Sequence, residues 1–255
     1  MILNIKIEFI ISTYNNVRDL ELVLEGYLYQ INHNFSLCIA DDGSTHEVAG
    51  LIKKFQQKNL AIRHIWHEYK GFIKAKILNR AIETSIDDYI ILQIATVFQY
   101  QISDHKNVAS ETTVIIGVRA YIKKDLSEEF RQRILSITKL SNILWLLLKS
   151  ITGDISKVEQ VINYPNLILK PITQAKPILS QFGSNMAISE KALFKINSFD
   201  KDFEGWGYED TDLLYRLDKL GLTAMGTIGR CRQFHIDHQM NKRNPNGEKP
   251  FKQKQ

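Results

Sequence analysis

Paired metal-binding cysteines, a secretory leader and a membrane-length apolar run are all missing from this chain. Its two cysteines, Cys38 and Cys231, show no metal-type spacing. They read as reduced thiols of a cytoplasmic protein. The opening Met1-Ile2-Leu3-Asn4-Ile5-Lys6-Ile7-Glu8 alternates polar and apolar residues, which is not a signal-peptide layout. The longest apolar stretch, Ile143-Leu144-Trp145-Leu146-Leu147-Leu148, is too short to span a bilayer. No internal repeat or low-complexity segment stands out. The cations form no stripe interleaved with aromatics, which argues against nucleic acid as a partner.

What is present suits a soluble α/β protein. The 255 residues are 44% apolar with a net charge of +5, enough for one large domain or two small ones. Much of the positive excess lies in Lys242, Arg243, Lys249, Lys252 and Lys254. This basic tail, 241–255, reads as a solvated terminus. It is also suited to peripheral contact with anionic lipid, at the inner face of a membrane, or to attracting a phosphorylated substrate.

Apolar periodicity predicts strands at 5–12, 35–40, 61–66 and 89–94, and helices at 19–29, 48–55 and 73–84. That alternation implies a mostly parallel sheet with helices on both faces. Ligands of such sheets bind at the carboxyl ends of strands. Thr13-Tyr14-Asn15-Asn16 and the turn Asp41-Asp42-Gly43-Ser44 therefore belong to one candidate site. Beyond residue 105 the pattern loosens. A strand at 114–117 leads into Arg119, and 127–162 reads as mainly helical. Its stripe of Leu135, Ile137, Leu140, Ile143 and Leu147 reads as core or lid rather than as a membrane anchor. Pro165, Pro171 and Pro177 mark an irregular connection. Residues 183–188 return to the sheet, and helices follow at 193–196 and 210–220. A strand-like stretch covers 227–234.

Four constellations carry possible chemistry. Asp41 and Asp42 at a strand end can accept from a nucleobase N–H or a ribose hydroxyl, and an Asp-Gly turn needs the same residues for backbone reasons. Gly71-Phe72 precedes a helix bearing Lys74 and Lys76, an arrangement able to hold a diphosphate. In Phe203-Glu204-Gly205-Trp206-Gly207-Tyr208-Glu209-Asp210-Thr211-Asp212, acids crowd a helix start behind a tryptophan held between glycines. Helix capping accounts for one or two of those acids. The remainder suits a site where an aromatic face holds a sugar and a carboxylate takes its proton. Last, His235-Ile236-Asp237-His238 places two histidines where both could reach one metal.

Taken in order, these segments resemble the family-2 glycosyltransferases of the GT-A fold. Ile10-Ile11-Ser12-Thr13-Tyr14-Asn15, Asp41-Asp42-Gly43-Ser44 and Gly71-Phe72 with Asn79 resemble that family's N-terminal half. Gly183-Ser184-Asn185-Met186, Phe199-Asp200, the Trp206–Asp212 segment and His235-x-x-His238 resemble the C-terminal half of galactosyltransferase-type enzymes, which bacterial polysaccharide transferases and chondroitin-type polymerases share. The resemblance implies a single domain over 1–255, with a nucleotide-binding half at 1–105 and an acceptor-binding half at 106–240. It implies an inverting transfer of a hexose or N-acetylhexosamine, from a nucleotide-diphosphate sugar such as a UDP-sugar to a glycan or lipid-linked glycan, in surface polysaccharide synthesis. Thr13, Tyr14, Asn15, Asp41, Asp42, Lys76 and Asn79 would line the nucleotide pocket. Trp206, Gly207, Glu209 and Asp212 would meet the sugars. Asp210 would be the base, and His238, with His235 as the weaker ligand, would face a Mn2+ or Mg2+ ion.

One departure matters. The family places Asp-x-Asp after a strand such as 88–92 to hold that metal against the diphosphate. Here the positions read Ile94-Ala95-Thr96. Only Thr96 offers an oxygen, and a neutral one. Three outcomes remain open: a transferase whose lysines and histidines replace the ion, a metal held weakly by the histidines and phosphates, or a catalytically impaired subunit serving to bind or scaffold.

Overall fold

A computed structural model of the chain describes residues 5–30, 34–100, 105–106, 109–162, 175–176, 185–203, 207–227 and 231–239. The first half alternates as its periodicity demands: β1 (Ile7–Thr13), α1 (Val17–Leu28), β2 (Ser36–Asp41), α2 (His46–Gln56), β3 (Ile62–Trp66), α3 (Lys74–Glu83) and β4 (Tyr89–Ile94). Strands β1, β2 and β4 are almost entirely buried, as unbroken apolar runs require when helices cover both sheet faces. Val48, Leu51, Ile52 and Phe55 follow helical spacing and form the buried side of α2. Asn16 caps α1 by accepting from the Asp19 N–H.

The remaining elements are β5 (Val97–Tyr100), β6 (Thr113–Ile116), β7 (Arg119–Ile122), α4 (Lys124–Arg131), α5 (Ile143–Ile151), β8 (Ile155–Ser156), β9 (Ala175–Lys176), β10 (Asn185–Ser189), α6 (Glu190–Lys195), α7 (Glu209–Lys219), β11 (Thr223–Gly226) and β12 (Arg232–Ile236). The main sheet runs β3-β2-β1-β4-β10-β6-β11-β9. Its first four strands are parallel, and β10 lies antiparallel to both of its neighbours. One apolar core fills the side covered by α1 and α2. The other lies beneath α3, α6 and α7. Strand order reverses direction at β1, so the crevice for a ligand opens at the carboxyl ends of β1 and β4.

Three expectations are corrected. A second sheet, β5-β12-β7-β8, packs beside the first. The strand expected at 227–234 corresponds to β12, which begins at Arg232 and belongs to the second sheet, and a separate strand, β11, ends before it at Gly226. The helical insertion begins at Lys124 rather than 127, and it contains two short 3-10 turns (Ile137–Ser141 and Val158–Gln160) and strand β8. Its apolar stripe splits: Ile137 and Leu140 are buried, whereas Ile143 and Leu147 face solvent. Glu204, Gly205, Trp206, Gly183, Ser184, the three prolines of the connection and the basic tail lie outside the described residues.

Asn185 joins the two sheets. Its side chain donates to the Cys231 carbonyl (3.1 Å), and its own carbonyl accepts from the Gly117 N–H (3.0 Å). A Cβ on Gly117 would sit 1.6 Å from the Asn185 amide nitrogen, so any other residue there would displace the side chain that joins the sheets. No helix among the described residues is long and apolar enough to cross a membrane.

Candidate active site

Thr13 and Asp41 end β1 and β2 side by side, in register. The Asp42 N–H donates to the Thr13 carbonyl (3.0 Å). Asn15, at φ 47°, links the two loops: its N–H donates to Ser44 Oγ (2.8 Å), and its Oδ1 accepts from the Thr45 N–H (2.9 Å). Asn15 thus shapes the pocket wall. Asp41 is fully buried, with one oxygen on the Ser44 N–H (2.8 Å) and the other on His64 Nε2 (3.0 Å). Asp42 is matched in the same way, to His67 Nε2 (2.7 Å) and the Ile73 N–H (3.1 Å). Burial raises the Asp42 pKa, and the His67 hydrogen bond opposes the rise. Gly43 has φ +92°, and a Cβ there would lie 2.6 Å from Tyr69 Cα. That close approach lets Tyr69 stack on the exposed Tyr14, with centroids 4.7 Å apart and planes 16° from parallel. Sequence reasoning missed His64, His67 and Tyr69. The His-x-x-His run closing β3, beside acidic β2, was the available signal.

The hydroxyls of Thr13 and Thr96 are buried without a hydrogen-bond partner among the described residues. They flank one another at the ends of β1 and β4, where the Ala95 N–H donates to the Ser12 carbonyl (3.1 Å). Orphaned buried hydroxyls cost stability unless something supplies a partner. Their placement in the crevice marks where a polar ligand would enter.

The acidic cluster is next to this crevice. Ile73, whose N–H Asp42 holds, precedes Lys74 at the start of α3. Lys74 reaches across to α7, with its Nζ 3.2 Å from Glu209 Oε1 and 3.4 Å from both Asp210 carboxylate oxygens. The expectation that Lys74 serves a diphosphate gives way to this ion-pair role. Burial works against the Lys74 charge, but Asp210 and Glu209 overcome it and lift its pKa above the usual lysine range. Lys76 lies two residues further along α3, half-buried.

The three acids of α7 part company by exposure. Glu209 is buried, with Oε2 accepting from the Gly207 N–H (2.8 Å) and Oε1 facing Lys74. Gly207 at φ +106° and Tyr208 at φ 73° make the sharp entry that this loop requires. Asp212 is fully buried and paired with Arg216 (2.7 and 2.8 Å), whose guanidinium also donates to the carbonyls of Ile196 and Ser198. It braces α7 against the α6 turn, which corrects its assignment to a sugar. The Asp210 side chain alone keeps access to solvent, at 28%. Burial raises its pKa, Lys74 lowers it, and Glu209 raises it further. Asn79 is corrected as well. Its amide donates to the Phe199 carbonyl (2.7 Å) and accepts from the Phe199 N–H (2.8 Å), deep in the core. Trp206 lies outside the described residues.

The degenerate Ile94-Ala95-Thr96 site does meet the histidines. The Ile236 N–H donates to the Thr96 carbonyl (2.9 Å), and His235 pairs with Val97 across β12 and β5. The His235 and His238 rings lie 5.0 Å apart. Burial, then His238 and Arg119, push the His235 pKa down to about 4, so its ring is neutral near pH 7. Arg119 stands over Tyr121 (5.7 Å) and is within electrostatic reach of Asp210. A divalent cation of the Mg2+ or Mn2+ kind wants several oxygen ligands, carboxylates above all. Here one hydroxyl, two imidazoles and a nearby guanidinium face the position. Among the described residues no group of three or more His, Cys, Asp or Glu side chains is placed to share an ion. This donor set does not fit such a metal.

Residues 8–93 match the family described as glycosyl transferase family 2, and residues 168–239 match the one described as the N-terminal domain of galactosyltransferase. The chain is 28% identical to a chondroitin synthase from Pasteurella multocida over 226 residues, covering 84% of this chain and 23% of that protein. It is 35% identical to mouse beta-1,4-galactosyltransferase 1 over 77 residues, covering 29% of this chain and 19% of that protein. The chain spans about a quarter of the length of the curated synthases it matches. Among solved structures it resembles GalNAc-T7 with UDP, GalNAc and Mn2+, with a TM-score of 0.64 and 12% identity over 94% of this chain and 45% of that one.

Proposed function

We propose, from the match of residues 8–93 to the family-2 glycosyltransferases and the likeness to GT-A structures, that the chain is a glycosyltransferase that transfers a hexose or N-acetylhexosamine, with inversion, from a UDP-sugar to a glycan hydroxyl in surface polysaccharide synthesis. One observation carries the reading. Of the three acids crowding the start of α7, only Asp210 is open to an incoming alcohol, and it stands one residue step from the Asp42–Ile73 contact that bounds the nucleotide crevice. Asp210 takes the acceptor proton as the alcohol oxygen attacks the anomeric carbon from the face opposite the diphosphate. Burial makes it a stronger base than a free aspartate, and the Lys74 charge opposes its protonation. Tyr14 and the Asp41–Ser44 turn receive the nucleoside, with the orphaned Thr13 and Thr96 hydroxyls as hydrogen-bond partners. Arg119 and Lys76 supply the positive field for the diphosphate, since the Ile94-Ala95-Thr96 segment brings no carboxylate.

The test is a screen of nucleotide sugars against oligosaccharide acceptors, with manganese and with a chelator. Transfer that persists in chelator is expected. Asp210→Asn should lower kcat by about 100-fold to 10,000-fold while UDP affinity holds. Equal turnover by the variant and the parent would remove Asp210 from the role. The missing Asp-x-Asp favours a second reading, a binding or scaffold subunit. UDP-sugar binding without turnover under any condition would establish that instead.

A further inference from the structure

Helix α5 carries an apolar row that the described residues leave exposed. Ile143, Leu144, Leu147, Leu148 and Ile151 follow one another at helical spacing, with exposures from 42% at Leu147 to 84% at Ile151. On the opposite side Leu146 is buried and Trp145 packs edge-on against Phe130 of α4. The helix is therefore locked, and the row cannot rotate inward. Of the stripe expected to be core or lid, Ile137 and Leu140 before the helix are core, whereas Ile143 and Leu147 belong to this exposed row.

Along the chain, the segment that bears the row carries charge of one sign. No acidic residue occurs from Ile134 to Gly153. Lys139 is exposed just before the helix, and Lys123 packs against Gly153 just after it. Of the acids that follow, Asp154 is neutralised by Lys149 (2.9 Å), and Glu159 is exposed in the 3-10 turn that packs on the helix, so the headgroup contact rests on Lys139 and Lys123. The row's size also discriminates between occupants. Nine residues of helix extend about 13 Å, and the exposed side chains offer on the order of 500 Å². A stable protein partner needs about 800 Å² from each side, usually with aromatic or methionine anchors. This row is purely Leu and Ile.

We propose that α5 docks the protein on an anionic lipid surface, its aliphatic row entering the acyl boundary while Lys139 and Lys123 meet the headgroups. The site is independent of the transfer reaction. It makes the protein peripheral, lying on one leaflet.

The experiment is co-sedimentation of the full chain with vesicles of phosphatidylcholine alone or mixed with about one-third phosphatidylglycerol. The parent should pellet with the mixed vesicles, less so at high salt. Leu144→Glu/Leu148→Glu should cut the bound fraction about tenfold with an unchanged melting temperature, since both positions are exposed. Lys139→Glu should weaken binding only to the mixed vesicles. Equal binding by the leucine variant and the parent would overturn the proposal. So would a parent that ignores both vesicles, or one that forms a dimer which the leucine variant abolishes.

Discussion

Replacing Lys74 with methionine tests the electrostatics of the site most directly. The lysine ammonium lies 3.2 Å from Glu209 and 3.4 Å from both oxygens of Asp210. At an effective dielectric constant near 20, a contact of that length is worth at most about 5 kcal/mol. Partial exposure of Asp210 reduces that figure. A nearby opposite charge ordinarily moves a carboxylate by about 1–3 pH units. Burial and Glu209 already raise the Asp210 pKa, and Lys74 is the main opposing influence. Its removal therefore leaves more Asp210 protonated at any given pH. The acid limb of kcat/KM should move upward by at least about one pH unit, with Lys74→Arg staying near the parent. The buried Glu209 would also lose its counter-charge, at a cost of about 3–5 kcal/mol in stability, visible as a lower Tm. If Tm falls and the acid limb stays in place, Lys74 is only a structural strut and the reasoning about Asp210 fails.

Other expectations are more local. His235 has a folded-state pKa of about 4 against an ordinary 6.5. The unfolded chain binds its proton first, so stability falls as pH drops through that window, by about 3 kcal/mol in total. His235→Gln should remove that slope in urea titrations compared at pH 7 and pH 4.5. Asn79→Ala strands the Phe199 N–H and carbonyl in the core and should cost about 2–3 kcal/mol, with UDP affinity unchanged in calorimetry. A large loss of affinity would return Asn79 to the nucleotide site. Gly43→Ala places a methyl against Tyr69 in a backbone region hostile to side chains and should cost about 1–3 kcal/mol, read as a shift in denaturation midpoint.

The N-terminal half was legible because its signals are local. Strands β1, β2 and β4 are apolar runs, α1 to α3 have regular faces, and the turn residues at 41–44 sit between them. The second sheet was not legible. β5, β7 and β12 are short, and their pairing joins residues more than a hundred positions apart, which no window of periodicity can sense. The same division holds in the site. Thr13, Asp41 and Asp42 could be placed together from strand ends alone. The sequence could not show which acid of α7 stays open, because that depends on Lys74, 135 residues away, and on Arg216 closing over Asp212. Asn79 was misassigned for the same reason: its partner Phe199 is 120 residues distant.

Helix α3 has a consequence for anyone recombining such proteins. It lies within the stretch that matches one family, yet Lys74 at its head and Asn79 near its middle are both bonded to residues of the other half. A chimera joined between the two matched stretches would inherit unmatched ends of both bonds unless Lys74 travels with Glu209 and Asp210, and Asn79 with the turn at Phe199. The two matched stretches are therefore not freely exchangeable modules here, and swaps that ignore this helix should yield misfolded protein.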